Sequence, residues 1–410
     1  MSGAETKTEG TMSEWKECEL SQIAEVQTGP FGSQLKNEQY ITGGTPVITV
    51  EHINNFRITD FDYPSVTKED KKRLSKYSLK TGDIIFIRVG SVDLSAFVQK
   101  HQDGWMFSSR MLRVRPNQEV DSRFLSYFFQ QKRFREYILN ISVGATMPSI
   151  NTEILKGIPV SYPTLPKQKA IAEVLSSLED KIDLLHRQNL TLEQMAETLF
   201  RQWFVEEAKE DWKIKRLEEI LTVSSSKRIF YKEYVDSGIP FYRSKEVIEL
   251  SNGGTTSTEL FISEERFNEI DSKFGSPKKG DILLTSVGTL GVSYRVRKND
   301  KFYFKDGNLT WFSNFGKFPS SIIFCWLNSS YGKEAINNIS IGSTQSALTI
   351  SGLRQIEIVI PPEEIIQKLN SELEGFYKKI EFNQKQIRTL EKMRDTLLPK
   401  LMSGGIKLKM

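Results

Sequence analysis

Cationic side chains recur in small groups along this chain: Lys68, Lys71, Lys72 and Arg73; Arg110, Arg113 and Arg115; Lys132, Arg133 and Arg135; Lys227 and Arg228; Arg243 and Lys245; Arg295, Arg297 and Lys298. Several sit among polar or aromatic neighbours, as in "FGSQLKN", "FSSRMLR" and "FYRSKE". Arg and Lys can neutralise phosphates or reach guanine edges, and Asn and Gln can match adenine. Any one such group is ordinary solvated surface; recurrence in two unlike stretches of the chain is what gives the pattern weight.

Covalent chemistry has no comparable signal. There is no Gly-x-Gly-x-x-Gly, and "GSPKKGD" from Gly275 has Asp281 where a phosphate loop needs its lysine. No Asp/Asn-Pro-Pro-Tyr/Phe segment of the amino-methyltransferase kind occurs, nor Gly-x-Ser-x-Gly. "EDK" at Glu179 and "DWK" at Asp211 read as solvated charge in helix or linker context. His52, His101 and His186, with Cys18 and Cys325, are too scattered for a zinc cluster or a disulfide framework. The residues describe a binder with no catalytic and no metal site.

The 410 residues exceed one ordinary core, so two or more domains are expected. Hydrophobic residues at 38% and charged residues at 26% are a globular composition, and a net charge of +4 neither demands nor excludes nucleic acid. No apolar run approaches the roughly 20 residues of a membrane helix, and "MSGAETKTEGTMSEW" lacks a signal-peptide core. The expectation is a cytoplasmic protein with a disordered tail over residues 1–13.

An internal repeat dictates the architecture. "SVGATMPSINTEIL" from Ser142 returns as "SIGSTQSALTISGL" from Ser340, and "TGDIIFIRVGS" from Thr81 as "KGDILLTSVGT" from Lys279. The offset of 198 relates Gly82 to Gly280, Val89 to Val287, Pro163 to Pro361, Lys181 to Lys379, Met195 to Met393 and Leu199 to Leu397. Earlier in each copy the match is loose. A constant scaffold carrying two variable inserts fits this pattern.

The first part of each copy is rich in β-branched and aromatic residues broken by Gly, Pro, Asn and Asp, which reads as mixed α/β. "DIIFIRV" and "DILLTSV" predict buried strands, and "FLSYFFQQKRFREYI" predicts one helix. The second part carries a stripe stepping by four and three residues: Ile171, Leu175, Leu178, Ile182, Leu185, Asn189, Leu192, Ala196, Leu199 and Trp203. Its counterpart runs Leu369, Leu373, Phe376, Ile380, Asn383, Ile387, Leu390, Arg394, Leu397 and Leu401. Spacing near 3.5 residues without Gly or Pro from Lys167 to Lys209 predicts a coiled-coil helix. The alternative is two separate amphipathic helices, each docked on its own domain. Asn189 and Asn383 read as register locks and Arg394 as a tolerated defect. Antiparallel pairing would relate the halves by a pseudo-two-fold axis and set the globular domains at opposite ends of a rod.

"PTLPKQKAIAEVLSSLEDKIDLLHRQNLTLEQMAETLFRQWF", its partner ending "LEKMRDTLLPKLMSG", and the paired "GATMPSI" and "GSTQSAL" make the chain from Trp15 to Gly404 resemble the specificity subunit of a type I restriction-modification system. The resemblance implies α/β target-recognition domains in tandem duplicate, each followed by a conserved spacer helix. The corresponding spans are 14–163 and 208–361 for the recognition domains, 164–207 and 362–403 for the helices, and 404–410 for a C-terminal tail. It implies double-stranded DNA, two adenine-methylating subunits that use S-adenosylmethionine, and ATP- and Mg-dependent translocase-nuclease subunits as partners. It places no cofactor on this chain. The recurring turn departs from identity, with Pro148 and Met147 replaced by Ser346 and Gln345; it is expected to join each domain to its helix in the same way.

For direct base contact the candidates are Gln34, Lys36, Arg57, Arg88 and Arg110 in the first domain, and Arg228, Arg243, Lys245, Ser286 and Arg295 in the second. Because the two domains differ in sequence, a bipartite, asymmetric site is expected. The rival readings are a self-sufficient methyltransferase, which needs a cofactor motif not found here, and a non-catalytic scaffold, which leaves the unlike basic domains unexplained.

Overall fold

The computed structural model describes residues 15–59, 62–144, 146–342 and 346–406. The tail over 1–13 and the last four residues of the C-terminal tail lie outside them. Two compact units emerge: one holds the chain up to Asp180 together with residues from Glu391 onward, the other Lys181–Leu390.

In the first unit a four-stranded antiparallel sheet runs in the order Ala24–Thr28, Met111–Pro116, Ile84–Ile87, Ser95–Phe97. The second repeats that order with Thr222–Ser224, Leu309–Ser313, Ile282–Thr285 and Ser293–Arg295. All residues of Ile84–Ile87 and Ile282–Thr285 are buried, as continuous apolar runs require of strands covered on both faces. A two-stranded clasp closes each domain: Lys16–Glu19 pairs with Pro159–Tyr162, and Lys213–Arg216 with Glu357–Ile360. The inserts differ. The first domain has a short hairpin, Ile53–Asn54 with Arg57–Ile58, and a six-residue helix Lys68–Arg73; the second has helices Ser244–Ser251 and Glu264–Phe274.

The segment expected as one helix is two. Helix Ser122–Gln130, capped by the Asp121 carboxylate accepting from the Phe124 N–H at 3.0 Å, ends where Gln131 turns extended (φ −59°, ψ 138°), and Lys132–Ile141 begins anew. The break lets Phe129 and Phe134 both turn inward around Phe86, with ring centroids 4.8 and 6.3 Å from it. An unbroken helix separates residues five apart by more than a quarter turn, so both rings could not meet one strand residue so closely.

Leu165–Arg201 and Glu363–Met402 form long helices of 37 and 40 residues. Within the second unit they run antiparallel. Ile182 and Leu185 of the first helix cluster with Ile387 and Leu390 of the second. Further along, the Asn383 Nδ2 donates to Asn189 Oδ1 at 2.9 Å, both residues being buried. Beyond that point Ala196, Phe200 and Phe204 enter one core with Leu369 and Leu373, where Leu192, Leu199, Trp203 and Phe376 are only partly buried. Here the stripe widens from the expected seam, because a helix docked on a globular core buries a broader face than one facing a single helix. In the first unit Ile171 and Leu175 share a core with Leu398, Leu401 and Met402, with Leu397 partly buried against it; Leu178 and Arg394 are also partly buried. Ile380 is buried in the second unit. Pairing and docking therefore occur on the same helices.

Among the polar contacts between each domain and its long helix, one pair of positions corresponds in the two units yet differs in chemistry. In the first unit the Tyr127 hydroxyl donates to Glu179 at 2.9 Å. At the corresponding positions of the second stand Cys325 and Tyr377, close enough to act on one another, so the phenol has moved from the domain to the helix, while the Cys325 thiol donates to the Ala196 carbonyl at 3.4 Å. Burial pushes the Cys325 thiol up to about 12, leaving it unreactive at neutral pH. Burial also lifts the Glu179 carboxyl above its ordinary range, against the opposing pull of the Arg57 charge and the Tyr127 hydroxyl.

Three outcomes follow for stability. Replacing Asn383 by Ala leaves the Asn189 amide buried without its partner and should cost about 1–3 kcal/mol in urea titration of the full chain. The double change Asn189→Leu with Asn383→Leu should recover that loss while loosening the helix register. A carboxyl whose pKa is raised on folding supports the fold below its unfolded value, and that support is lost as pH rises through the folded value. Glu179→Gln should therefore melt above the wild type at about pH 7, the gap closing toward about pH 4. A pH-independent difference would show that Glu179 ionises without penalty.

Candidate nucleic-acid interface

One end of each sheet gathers loops distant in sequence. In the first domain the Arg88 N–H donates to the Arg110 carbonyl at 2.8 Å, the Ile150 N–H to the Arg88 carbonyl at 2.9 Å, and the Gly90 N–H to the Pro148 carbonyl at 2.8 Å. Gly29 closes the corner, its N–H donating to the Met111 carbonyl at 3.1 Å. A Cβ there would stand 2.0 Å from the Ser108 carbonyl oxygen, so only glycine fits. The recurring turn is pinned here by antiparallel bridges between Ser149 and both Val89 and Val143, and Gly144 at φ +104° makes the reversal. This corrects the expectation that the turn joins domain to helix: strand Pro159–Tyr162 makes that junction. The turn's Ala145, and Ser343, Thr344 and Gln345 of its counterpart, lie outside the described residues.

The second domain builds the same corner. The Ser286 N–H donates to the Asn308 carbonyl at 2.8 Å, and the Leu348 N–H to the Ser286 carbonyl at 2.9 Å. Positions 88 and 110 thus correspond to 286 and 308, and two arginines in one domain are matched by Ser286 and Asn308 in the other. Asn308 escaped the sequence reading, although its offset of 198 from Arg110 was there to be used.

The structure sorts the basic groups by their partners. Among the described residues the Arg110 side chain, exposed, and that of Arg88, half-buried, have no acidic partner. Arg113 and Arg115, grouped with Arg110 in the sequence, are internal instead. Arg113 pairs with Glu25 at 2.9 Å with its side chain 2% exposed, and Arg115 holds both Asp83 oxygens at 2.7 Å. Lys36 is exposed at the start of the turn Asn37–Gln39, while the Gln34 carbonyl oxygen accepts from the Tyr77 hydroxyl at 2.6 Å.

In the second domain Arg228 reaches Asp306 at 2.8 Å with its own side chain 66% exposed. Arg243 is held by the buried Glu246 at 2.8 Å, and Lys245 lies 3.8 Å from Glu249. The Ser244 hydroxyl donates to the Asn308 carbonyl at 3.4 Å, which ties this segment to the corner. Three candidates stand apart from these groups. The Ser286 hydroxyl is buried against Thr310 at 2.7 Å. Arg295 lies opposite Ile282, at the other end of the sheet, and bonds Ser320 and Glu374. Arg57 is close enough to Glu179 for its charge to act on that carboxyl.

Among the described residues no three His, Cys, Asp or Glu side chains converge on a metal position. Among the described residues no helix is long and apolar enough to cross a membrane.

Residues 12–194 and 209–392 both match the family described as Type I restriction modification DNA specificity domain. The chain is 27% identical to the Type I restriction enzyme MjaIX specificity subunit of Methanocaldococcus jannaschii, over 96% of this chain and 94% of that protein. It is 23% identical to the HindI specificity subunit of Haemophilus influenzae, over 96% and 100% respectively. The solved S subunit of a type I restriction-modification system from M. genitalium superposes with a TM-score of 0.61 at 16% identity, covering 97% of this chain and 98% of that one. Tandem family matches over most of the length, on two sheets of identical strand order, place this chain in the type I restriction-modification DNA specificity family, as a specificity subunit.

Proposed function

We propose that this subunit is the non-catalytic reader of a bipartite, asymmetric DNA site, and that it works in the cytoplasm. Each recognition domain takes one half-site, and the paired helices set the distance between the halves. Chemistry comes from partners: subunits that methylate adenine from S-adenosylmethionine, after flipping the base from the duplex, and ATP- and Mg-dependent translocase-nuclease subunits. The observation that carries this reading is the pair of corresponding sheet corners. One frame presents Arg88 and Arg110 in the first domain and, with the Ser286 hydroxyl turned inward against Thr310, only Asn308 in the second, so equivalent positions offer different hydrogen-bonding groups to DNA.

On this reading Arg88, Arg110 and Lys36 serve the first half-site, and Arg228, Arg243 and Lys245 the second. The unpaired guanidinium of Arg110 suits bidentate contact with guanine, whereas Lys36 suits phosphate. Arg57 and Arg295, turned to groups on the long helices, serve the joint between domain and helix.

A map of N6-methyladenine across the host genome, with and without this gene, tests the role. Methylation should vanish at one split motif when the gene is removed, and unchanged methylation would count against the reading. Arg110→Ala, in the same assay, should relax one base position of one half-site, with about 1–3 kcal/mol of discrimination lost there. Removing one heptad from each long helix takes away roughly 10 Å of length, about three base pairs at 3.4 Å each. The marked motif should shorten its spacer accordingly, and an unchanged spacer would refute the helices as a ruler.

A further inference from the structure

The connection from the second strand into a one-turn helix is framed alike in both domains: the Lys36 N–H donates to Gln39 at 2.9 Å and the Phe230 N–H to Glu233 at 2.7 Å. What it carries is unusual. Phe31 in the first domain is 52% exposed, and in the second Phe230 is 57% and Tyr231 90% exposed. A single exposed ring is ordinary, but exposed rings grouped on one loop and its neighbour form a face that a partner can cover.

The Tyr231 loop is anchored to the body of its domain. The Ser226 hydroxyl donates to the Phe304 carbonyl at 2.7 Å, and the Lys227 N–H to the Tyr303 hydroxyl at 2.8 Å. Arg228 is tied to Asp306, and Ile229 is buried among Ile239, Phe241 and Tyr303. Asp306 begins the turn that leads to Asn308, so the loop borders the sheet corner described above. Tyr231 is thus held outward by a fixed base.

Around it Asp306 and Glu233 are paired with Arg228 and Arg266, which leaves two lysines of the same loop uncompensated. The Lys227 ammonium lies 5.2 Å above the ring of Phe274, itself 55% exposed. Among the described residues neither Lys227 nor Lys232 has an acidic partner. Exposed aromatic rings interleaved with unpaired lysines suit a polyanion that also offers flat apolar faces, and duplex DNA has both. A protein partner would ask for a broader apolar face with fewer uncompensated charges.

We infer that Tyr231 is a DNA wedge: its ring enters a base step of the second half-site and stacks on the base it uncovers, while Lys227 and Lys232 hold the flanking phosphates. Side chains inserted this way kink the duplex, and the uncovered stacking surface offsets the cost of opening the step. This rests on the DNA-reading role above and adds to it a residue that contributes through stacking, with no hydrogen-bonded base contact.

The test uses the full chain assembled with its methylating subunits, on a duplex bearing the mapped motif and end-labelled for energy transfer. The wild-type complex should bring the labelled ends closer. Tyr231→Ala should bind about ten-fold more weakly and lose the bend, while Tyr231→Phe and Tyr231→Trp keep both. Tyr231→Ala that bends and binds like the wild type overturns the wedge alone. Loss of the methylating subunits from the Tyr231→Ala complex would assign the surface to protein docking and likewise overturn it. Failure of the wild-type complex to select the motif would overturn the DNA-reading role and the wedge with it.

Discussion

Two amides facing each other in an apolar seam decide where the second long helix stops along the first. The Asn383 amide N–H donates to the Asn189 side-chain oxygen at 2.9 Å only in the register observed. A slip of one heptad would set Asn189 against Phe376 or Leu390 and strand both amides, at about 1–3 kcal/mol for each buried polar group left unpaired. Leucine at both positions would pack as well in several registers. The polar pair concedes some stability and in return selects one alignment, the best-attested use of a buried amide in a coiled coil. The Asn383 carbonyl oxygen, buried without a partner, is part of that concession.

Around this fixed element the chain separates what must be constant from what must vary. Strand order, the clasp and the glycine-built corner recur in both units. The inserted hairpin and helices and the corner side chains do not. A scaffold held by backbone hydrogen bonds tolerates such exchange because its own bonds do not depend on side-chain identity. The N–H of residue 88 or 286 donates to the carbonyl of residue 110 or 308 whether arginine, serine or asparagine stands there. The corner is therefore a place where side chains can change without a change of fold.

Much of this could be read from the residues. A fixed offset revealed the duplication, a spacing of four and three revealed the helices, and short apolar runs revealed the central strands, because each is a periodic consequence of burial. What escaped depends on contacts across the chain. Arg113 and Arg115 look like surface charges until Glu25 and Asp83 are brought to them. Phe200 and Phe204 lie off the seam and are buried only because the helix also docks on a domain core. The helix break at Gln131 has no proline or glycine to announce it. Nothing in the residues around Tyr231 announces its exposure, which is a property of the folded loop.

The exchanged phenol at the two joints bears on how such genes can recombine. A duplicated gene invites crossover between its copies, and the matching segments offer many places for it. A crossover that moved the first domain onto the second helix would confront Tyr127 with Tyr377, two phenols in a space shaped for a phenol and a thiol. The reciprocal product would leave the Glu179 carboxyl facing Cys325, with no hydroxyl to stabilise its charge. Breakpoints that carry a domain together with its own helix joint escape both faults. The joint thus makes each domain and its own helix one unit of exchange, whose contacts survive only when the two travel together.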